Sequence, residues 1–531
     1  MNSRILEIAE KLIEIQSDPG TLQEINVAKA IFEIIREDEY FKCNPQFCGV
    51  YVGKDLLKRP VVWALKKGKS DKTVILTGHY DCVEIDCYGE LKEYALKPSL
   101  LMEKLREIKL PSNVEEDLNS GKWLFGRGIN DMKMGLAIEL DRLFSYSDLE
   151  ANVLFLAVSD EENLSAGMRD ASKLLVELKD RFRLDYSLLV LTEPHMGEKT
   201  DEFKIYTGTV GKIMPAVVVK GQIAHASEVM AGLNSSYIMA EIVKNIELNY
   251  NLCSKFNGAA TQPPTCLYFR DLKGLYDVSL PEYTGAYFNY QFLNDVTSKD
   301  ILNKIKSLCE KGLKEAVSKY KDTFEQMCSK GDISSDKKRE YEVEVLSFEE
   351  LEKVAIEKNA EYKEYKESVI ENIEKEVLSG GISLQEAGLK LIKKVIELSG
   401  INKPIAVVGF IPPYYPAVDD SLSVEKYVGI IENILKNKYN LIANTEPYFM
   451  GICDISYTKC ENVADEEKVM ENMLVTKDLY NSDFAEINGL NIPAIVVGPL
   501  GKDYHTMYER VYIDEAVNVV PSLIDEIVKN I

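Results

Sequence analysis

Lys72-Thr73-Val74-Ile75-Leu76-Thr77-Gly78-His79-Tyr80-Asp81 is the stretch whose reading decides the fold. Its short apolar run, unbroken by polar alternation, reads as a strand buried on both faces. The run ends on His79, with Asp81 two residues further on, and a strand's two-residue period sets both side chains on one side. An imidazole so placed can ligate a metal while the carboxylate fixes its orientation.

Two more runs of the same texture follow. Asn152-Val153-Leu154-Phe155-Leu156-Ala157-Val158 stops just before Asp160-Glu161-Glu162, and Ser187-Leu188-Leu189-Val190-Leu191 stops before Glu193. Between the first and second runs, Gly126-Arg127-Gly128-Ile129-Asn130-Asp131-Met132-Lys133 opens a helix. That helix carries Met134, Leu136, Ala137, Ile138 and Leu140 at helical spacing. Apolar strands alternating with helices predict an α/β domain with a mostly parallel, helix-covered sheet. In such sheets ligands gather at the carboxyl ends of the strands, and three strands here each deliver a candidate ligand at that end.

The texture changes after residue 206. A strand is predicted at 212–221, a helix at 235–248 and a further strand at 284–291. A Lys- and Glu-rich helical stretch then runs from 298 to about 399, its charges forming solvated helix faces. Strand texture returns at 404–410 and at 492–498, shortly before His505. The expected organisation is a catalytic domain in two parts, 1–206 and 403–531, around an inserted α+β lid at 207–402 enlarged by helices.

Size and charge narrow the classes. A chain of 531 residues exceeds one simple core, and 46% apolar content is ordinary for a globular protein. The net charge of −23 argues against nucleic acid and anionic membranes as partners, since both need clustered cations. No apolar run reaches the length of a membrane span. The amphipathic start, Ile5-Leu6-Glu7-Ile8-Ala9-Glu10-Lys11-Leu12-Ile13, does not read as a signal peptide, so a cytoplasmic location is expected. The ten cysteines lack paired zinc-site spacing and are expected to be free thiols.

Histidine is scarce: His79, His195, His225 and His505 are all there are. Taken alone, Asp131 reads equally as a helix N-cap, and Glu161-Glu162 equally as an exposed acidic turn. Taken together, two His, one Asp and two Glu match the needs of two divalent ions, with a bridging carboxylate and one His and one carboxylate on each. Adjacent carboxylates pointing different ways suit one ligand and one general base.

These motifs resemble the zinc-dependent aminoacylase and glutamate-carboxypeptidase family of metallopeptidases, which includes acetylornithine and succinyl-diaminopimelate deacylases. The matching pieces are HxD at 79–81, GRGxxDMK at 126–133, the double Glu and the strand-end Glu193. GxxAHAS…GxN at 221–234 and Gly-Pro…His-Thr…Glu at 498–509 complete the set, all in the family's order. The resemblance implies Asp131 as the bridge, His79 and Glu193 on one ion, Glu162 and His505 on the other, and Glu161 as base. It implies zinc first, with cobalt or manganese also fitting such ligands. It further implies a cis peptide at Asp131–Met132, and a lid histidine, His225, that steadies the oxyanion. A homodimer through the lid, with His225 acting across it, is part of the same implication, and the enlarged lid leaves a monomer, with His225 serving its own chain, as the alternative. His195 matches no ligand position and reads as structural or as a support behind the ligands.

The implied activity is hydrolysis of the amide bond of an N-acyl amino acid or short peptide. Glu rather than Asp at 193 favours the deacylase and carboxypeptidase branch, with a dipeptidase as the alternative. A narrower likeness is carried by Trp123-Leu124-Phe125-Gly126-Arg127-Gly128, residues 160–169 and Pro412-Pro413-Tyr414-Tyr415-Pro416. It points to an arginine-utilisation subgroup and implies a link to arginine breakdown. A catalytically silent binding protein of arginine metabolism is the third reading, and the intact ligand set speaks against it.

Overall fold

The computed structural model describes residues 3–475 and 479–531. The chain divides into two compact units. One comprises Met1–Val210, Pro416–Glu461 and Ser482–Ile531, the other Gly211–Tyr415 and Asn462–Asn481.

The first unit is built on an eight-stranded sheet. Its strands are β1 (Cys48–Tyr51), β2 (Val61–Lys66), β3 (Lys72–His79), β4 (Asn152–Val158), β5 (Asp185–Leu191), β6 (Glu202–Tyr206), β7 (Ile442–Glu446) and β8 (Ala494–Val496). They lie in the order β1-β2-β4-β3-β5-β8-β6-β7. The four central strands β4, β3, β5 and β8 are mutually parallel. Every residue of β4 is buried, so both faces of the sheet are covered, which is why its sequence shows no alternation. Helices α1 (Ser3–Ile13), α2 (Glu24–Glu37) and α3 (Met134–Ser145) contribute Ile8, Ile31 and Ile138 to a core shared with Val74, Leu76 and Phe155. Each such side chain, fully buried, is worth roughly 1.5–3 kcal/mol. The α/β class expected from the strand texture is the class observed.

The second unit holds a five-stranded sheet in the order Thr265–Asp271, Tyr283–Phe292, Gly211–Lys220, Ile405–Tyr415, Glu344–Ser347. Only the last pair is parallel. The Lys- and Glu-rich stretch forms four helices: Ser298–Lys330, Phe348–Lys358, Tyr362–Leu378 and Leu384–Ser399. Three of them begin with capping boxes, Thr297 with Asp300, Ser347 with Glu350 and Ser383 with Glu386. Their apolar stripes, including Leu351, Ile392 and Val395, pack with Val218 and Val407 of the sheet.

The unit boundary runs later than the strand texture places it. Ile405–Tyr415 has the same buried texture as the first unit's strands but pairs antiparallel with Gly211–Lys220. The chain then re-enters the second unit at Asn462–Asn481, where the backbone of Phe410 bonds to Asn472 and Leu474. All ten cysteines are free. No helix among the described residues is long and apolar enough to cross a membrane.

Candidate metal centre

The parallel arrangement brings the carboxyl ends of β3, β4 and β5 side by side. His79 is the last residue of β3 and stands opposite Val158, the last of β4. Glu161 and Glu162 lie three and four residues beyond β4, Glu193 two residues beyond β5, and His505 in the turn after the short strand Leu500–Lys502 that follows β8. Asp131 comes from the turn that precedes α3.

That turn is constrained on all sides. Gly128 sits at φ +71°, and a Cβ there would stand 3.0 Å from Cys82 Cβ. The Asp131–Met132 peptide is cis, as the resemblance implies. Glu509 accepts the backbone N–H groups of Asn130 at 3.2 Å and of Asp131 at 3.4 Å, and Arg127 neutralises it. Met132 reaches under β3, where a side chain on Gly78 would meet its Cε at 2.3 Å. Asp131 is therefore no simple helix cap; its carboxylate is turned into the cleft.

Two ligand groups result: His79, Asp131 and Glu193 in one, Asp131, Glu162 and His505 in the other, each set of atoms lying within 4.8 Å of one another. Asp131 belongs to both. Its Oδ1 is 3.0 Å from His79 Nε2 and its Oδ2 is 3.4 Å from His505 Nε2. Glu193 Oε1 is 3.1 Å from His79 Nε2, and Glu162 Oε1 is 2.9 Å from His505 Nε2. Glu161 is in neither group; its Oε2 stands 3.9 Å from His79 Nε2. His79 is fully buried, whereas the His505 side chain is 48% exposed, so the cleft opens on the His505 side.

His79 is held differently from the sequence expectation. Its Nδ1 donates to the backbone carbonyl of Asp81 at 3.0 Å, while the Asp81 carboxylate is 3.5 Å away. The tautomer is fixed either way, leaving Nε2 for a metal. The carboxylate is turned to the next loop instead, accepting Glu161 N and Glu162 N, both at 3.1 Å.

The electrostatics describe a site short of positive charge. Burial, then the Asp131 charge, pushes Glu193 up to about 7. Burial, then Asp131, raises Glu162 as well. Burial also raises Glu161 well above the carboxylate range, reinforced by Glu193 and Glu162. Hydrogen bonds to Asp131 and Glu162 lift His505 to about 10. Burial opposes charge on His79, but Glu193, Asp131 and Asp81 overcome it and hold its pKa high. The donor set of imidazoles and carboxylates fits two divalent ions.

His225 is carried by the second unit, exposed, with Nδ1 2.7 Å from Ser227 Oγ. His195 is buried, takes part in neither ligand group, and has Nε2 2.9 Å from Glu515, which also accepts the Leu500 N–H. Sequence reasoning left Glu509 and Arg127 without roles, although both fall inside quoted motifs. It gave no role to Asp454 either, a fully buried carboxyl that burial lifts to about 7.

A sequence model described as peptidase family M20/M25/M40 matches residues 75–528. The chain belongs to this family. As a member of M20 it is a hydrolase. The uncharacterized protein YqjN of Bacillus subtilis (strain 168) is 30% identical over 534 residues, spanning 98% of this chain and 95% of its own. Protein RocB of the same organism is 28% identical over 545 residues, spanning 98% and 94%. Among solved structures, the M20 family metallo-carboxypeptidase Sso-CP2 from Sulfolobus solfataricus superposes with a TM-score of 0.54 at 12% identity, over 99% of this chain and 98% of that one. At that identity the likeness is one of fold.

Proposed function

We propose that this M20 hydrolase is a two-metal amidase that cleaves the amide bond of an N-acyl amino acid or a short peptide. The observation that carries the reading is Asp131, whose two carboxylate oxygens each face one ligand triad. His79 and Glu193 would hold one ion, Glu162 and His505 the other, and zinc is the first choice. Bound there, the ions supply Lewis-acid polarisation of the scissile carbonyl and lower the pKa of a water.

Glu161 lies beside the triads and outside both, the position of a general base that takes the water's proton and hands it to the leaving nitrogen. His225 of the second unit is assigned the oxyanion contact. The same reading includes a homodimer through the second unit, supported by its edge strand Thr265–Asp271, which exposes Leu267 and Phe269. A place in arginine breakdown rests on the likeness to the arginine-utilisation subgroup.

The test is a metal-loaded preparation assayed against N-acyl amino acids and dipeptides, with arginine derivatives in both sets. Release of the free amino acid from one set, abolished by chelation, is expected. A protein carrying two ions that cleaves nothing in either set would sink the proposal.

A further inference from the structure

Upstream of residue 75, where the family match begins, the first unit contains a buried charge cluster centred on Arg59. Arg59 is 4% exposed. Asp55 grips it from one side, with Oδ2 2.8 Å from Nε and Oδ1 2.8 Å from Nη2. Nη1 is left for two carboxylates, Glu24 Oε1 and Asp160 Oδ1, each at 2.6 Å.

Asp160 is the hinge of the turn that carries Glu161 and Glu162. It adopts a left-handed φ of 67°, and its carbonyl accepts Asn163 N and Leu164 N. Its carboxylate accepts Asn163 Nδ2 at 3.2 Å and Ala166 N at 3.4 Å. Its own N–H goes to Glu24 Oε2 at 2.9 Å. The N-terminal segment therefore holds both ends of Asp160: Glu24 takes the backbone, Arg59 the side chain. On the far side of the same turn, Asp81 holds the N–H groups of Glu161 and Glu162.

We propose that Arg59 is a positioning residue for Glu161: anchored by Asp55 and Glu24, it fixes Asp160 and through it the aim of the neighbouring base. The proposal rests on the reading of Glu161 as that base. The planar guanidinium fork serves three carboxylates at once, which a lysine ammonium on a flexible stem cannot reproduce. Glu161 follows Asp160 directly in the chain, so a change in how Asp160 is held is passed to the backbone of the base.

The experiment places Arg59→Lys in the wild-type protein and in a Glu161→Gln background. It records bound metal, kcat and KM on the best N-acyl amino acid of the panel, and hydrogen exchange over residues 159–166. A misplacement of about 1 Å costs on the order of 10²-fold, so kcat should fall at least ~10-fold with KM within ~3-fold. Both ions should remain, and the turn should exchange faster. In the Glu161→Gln background the same change should cost less than ~2-fold, because two residues acting through one step are not additive.

An unchanged kcat in Arg59→Lys, or an equal loss in both backgrounds, overturns the positioning role alone. A near wild-type rate for Glu161→Gln itself removes the base and the proposal together. Should Arg59→Lys fail to fold, Glu24→Gln keeps an acceptor for the Asp160 N–H while cancelling its charge. The same two backgrounds then decide, with the same outcomes.

Discussion

The Asp81 carboxylate accepts the backbone N–H of Glu161 at 3.1 Å, tying the end of β3 to the loop after β4. Its other oxygen does the same for Glu162, and its carbonyl holds His79. One residue thus sets the orientation of one proposed ligand and the backbone of both the proposed base and a second proposed ligand. A strand-end carboxylate can do this only because β3 and β4 are parallel neighbours in register, with His79 opposite Val158.

Asp81→Asn should accordingly damage both metal binding and turnover. One amide oxygen still accepts a single N–H, but the NH2 group faces the other and leaves it unpaired in a buried site. Changing a group that supports metal ligands typically costs ~10–100-fold in affinity or activity. Competition with a chelator together with steady-state rates measures both. A variant with wild-type affinity and kcat would show that the carboxylate is dispensable.

Glu161→Gln separates chemistry from assembly. Glu161 is outside both triads, so the variant should retain two ions per chain while losing about 10²–10⁴-fold in kcat, the usual contribution of a general acid–base group. Metal analysis and rates on the same preparation test the two halves independently. Loss of metal would move Glu161 into the ligand set.

How far the sequence reached depended on whether the signal was local. The β3, β4 and β5 runs were legible because strands buried on both faces leave unbroken apolar stretches. Their terminal His79, Glu162 and Glu193 were legible because polar groups at such ends stand out. Pairing is not local. Ile405–Tyr415 looks like the strands of the first unit, yet its partner is Gly211–Lys220, and residues 462–481 show nothing of their return to the second unit. Arg59 and Glu24 were equally invisible: a lone arginine in a loop and a glutamate at a helix start carry no pattern until folding sets them 2.6 Å apart.

Metal loading should release protons. In the metal-free protein, hydrogen bonds to Asp131 and Glu162 lift the pKa of His505 to about 10, so it carries a proton at pH 8. That proton sits on the imidazole proposed as a ligand and must leave when an ion binds. Titrating zinc in two buffers of different ionisation enthalpy should report at least about one proton released as the two ions bind, and apparent affinity rising with pH up to the pKa of His505. Binding of two ions without proton release would contradict the proposed ligands.

The last prediction concerns His225 and the quaternary state. His225 is exposed in the second unit, paired through its backbone with Ser279 and hydrogen-bonded to Ser227, and takes part in neither ligand triad. His225→Ala should therefore keep both ions. If His225 supplies the oxyanion donor, kcat should drop ~10²–10³-fold, the range for losing one such donor. The edge strand Thr265–Asp271, with Leu267 and Phe269 exposed, supports a dimer through this unit. In that case His225 serves the partner's centre, and mixing His225→Ala with Glu161→Gln should recover up to about a quarter of the wild-type activity, because half the chains pair with the other variant and one centre in each mixed pair is complete. Sedimentation showing a monomer, together with no recovery on mixing, would place His225 in the service of its own chain or outside the reaction. A wild-type kcat for His225→Ala alone would decide for the second.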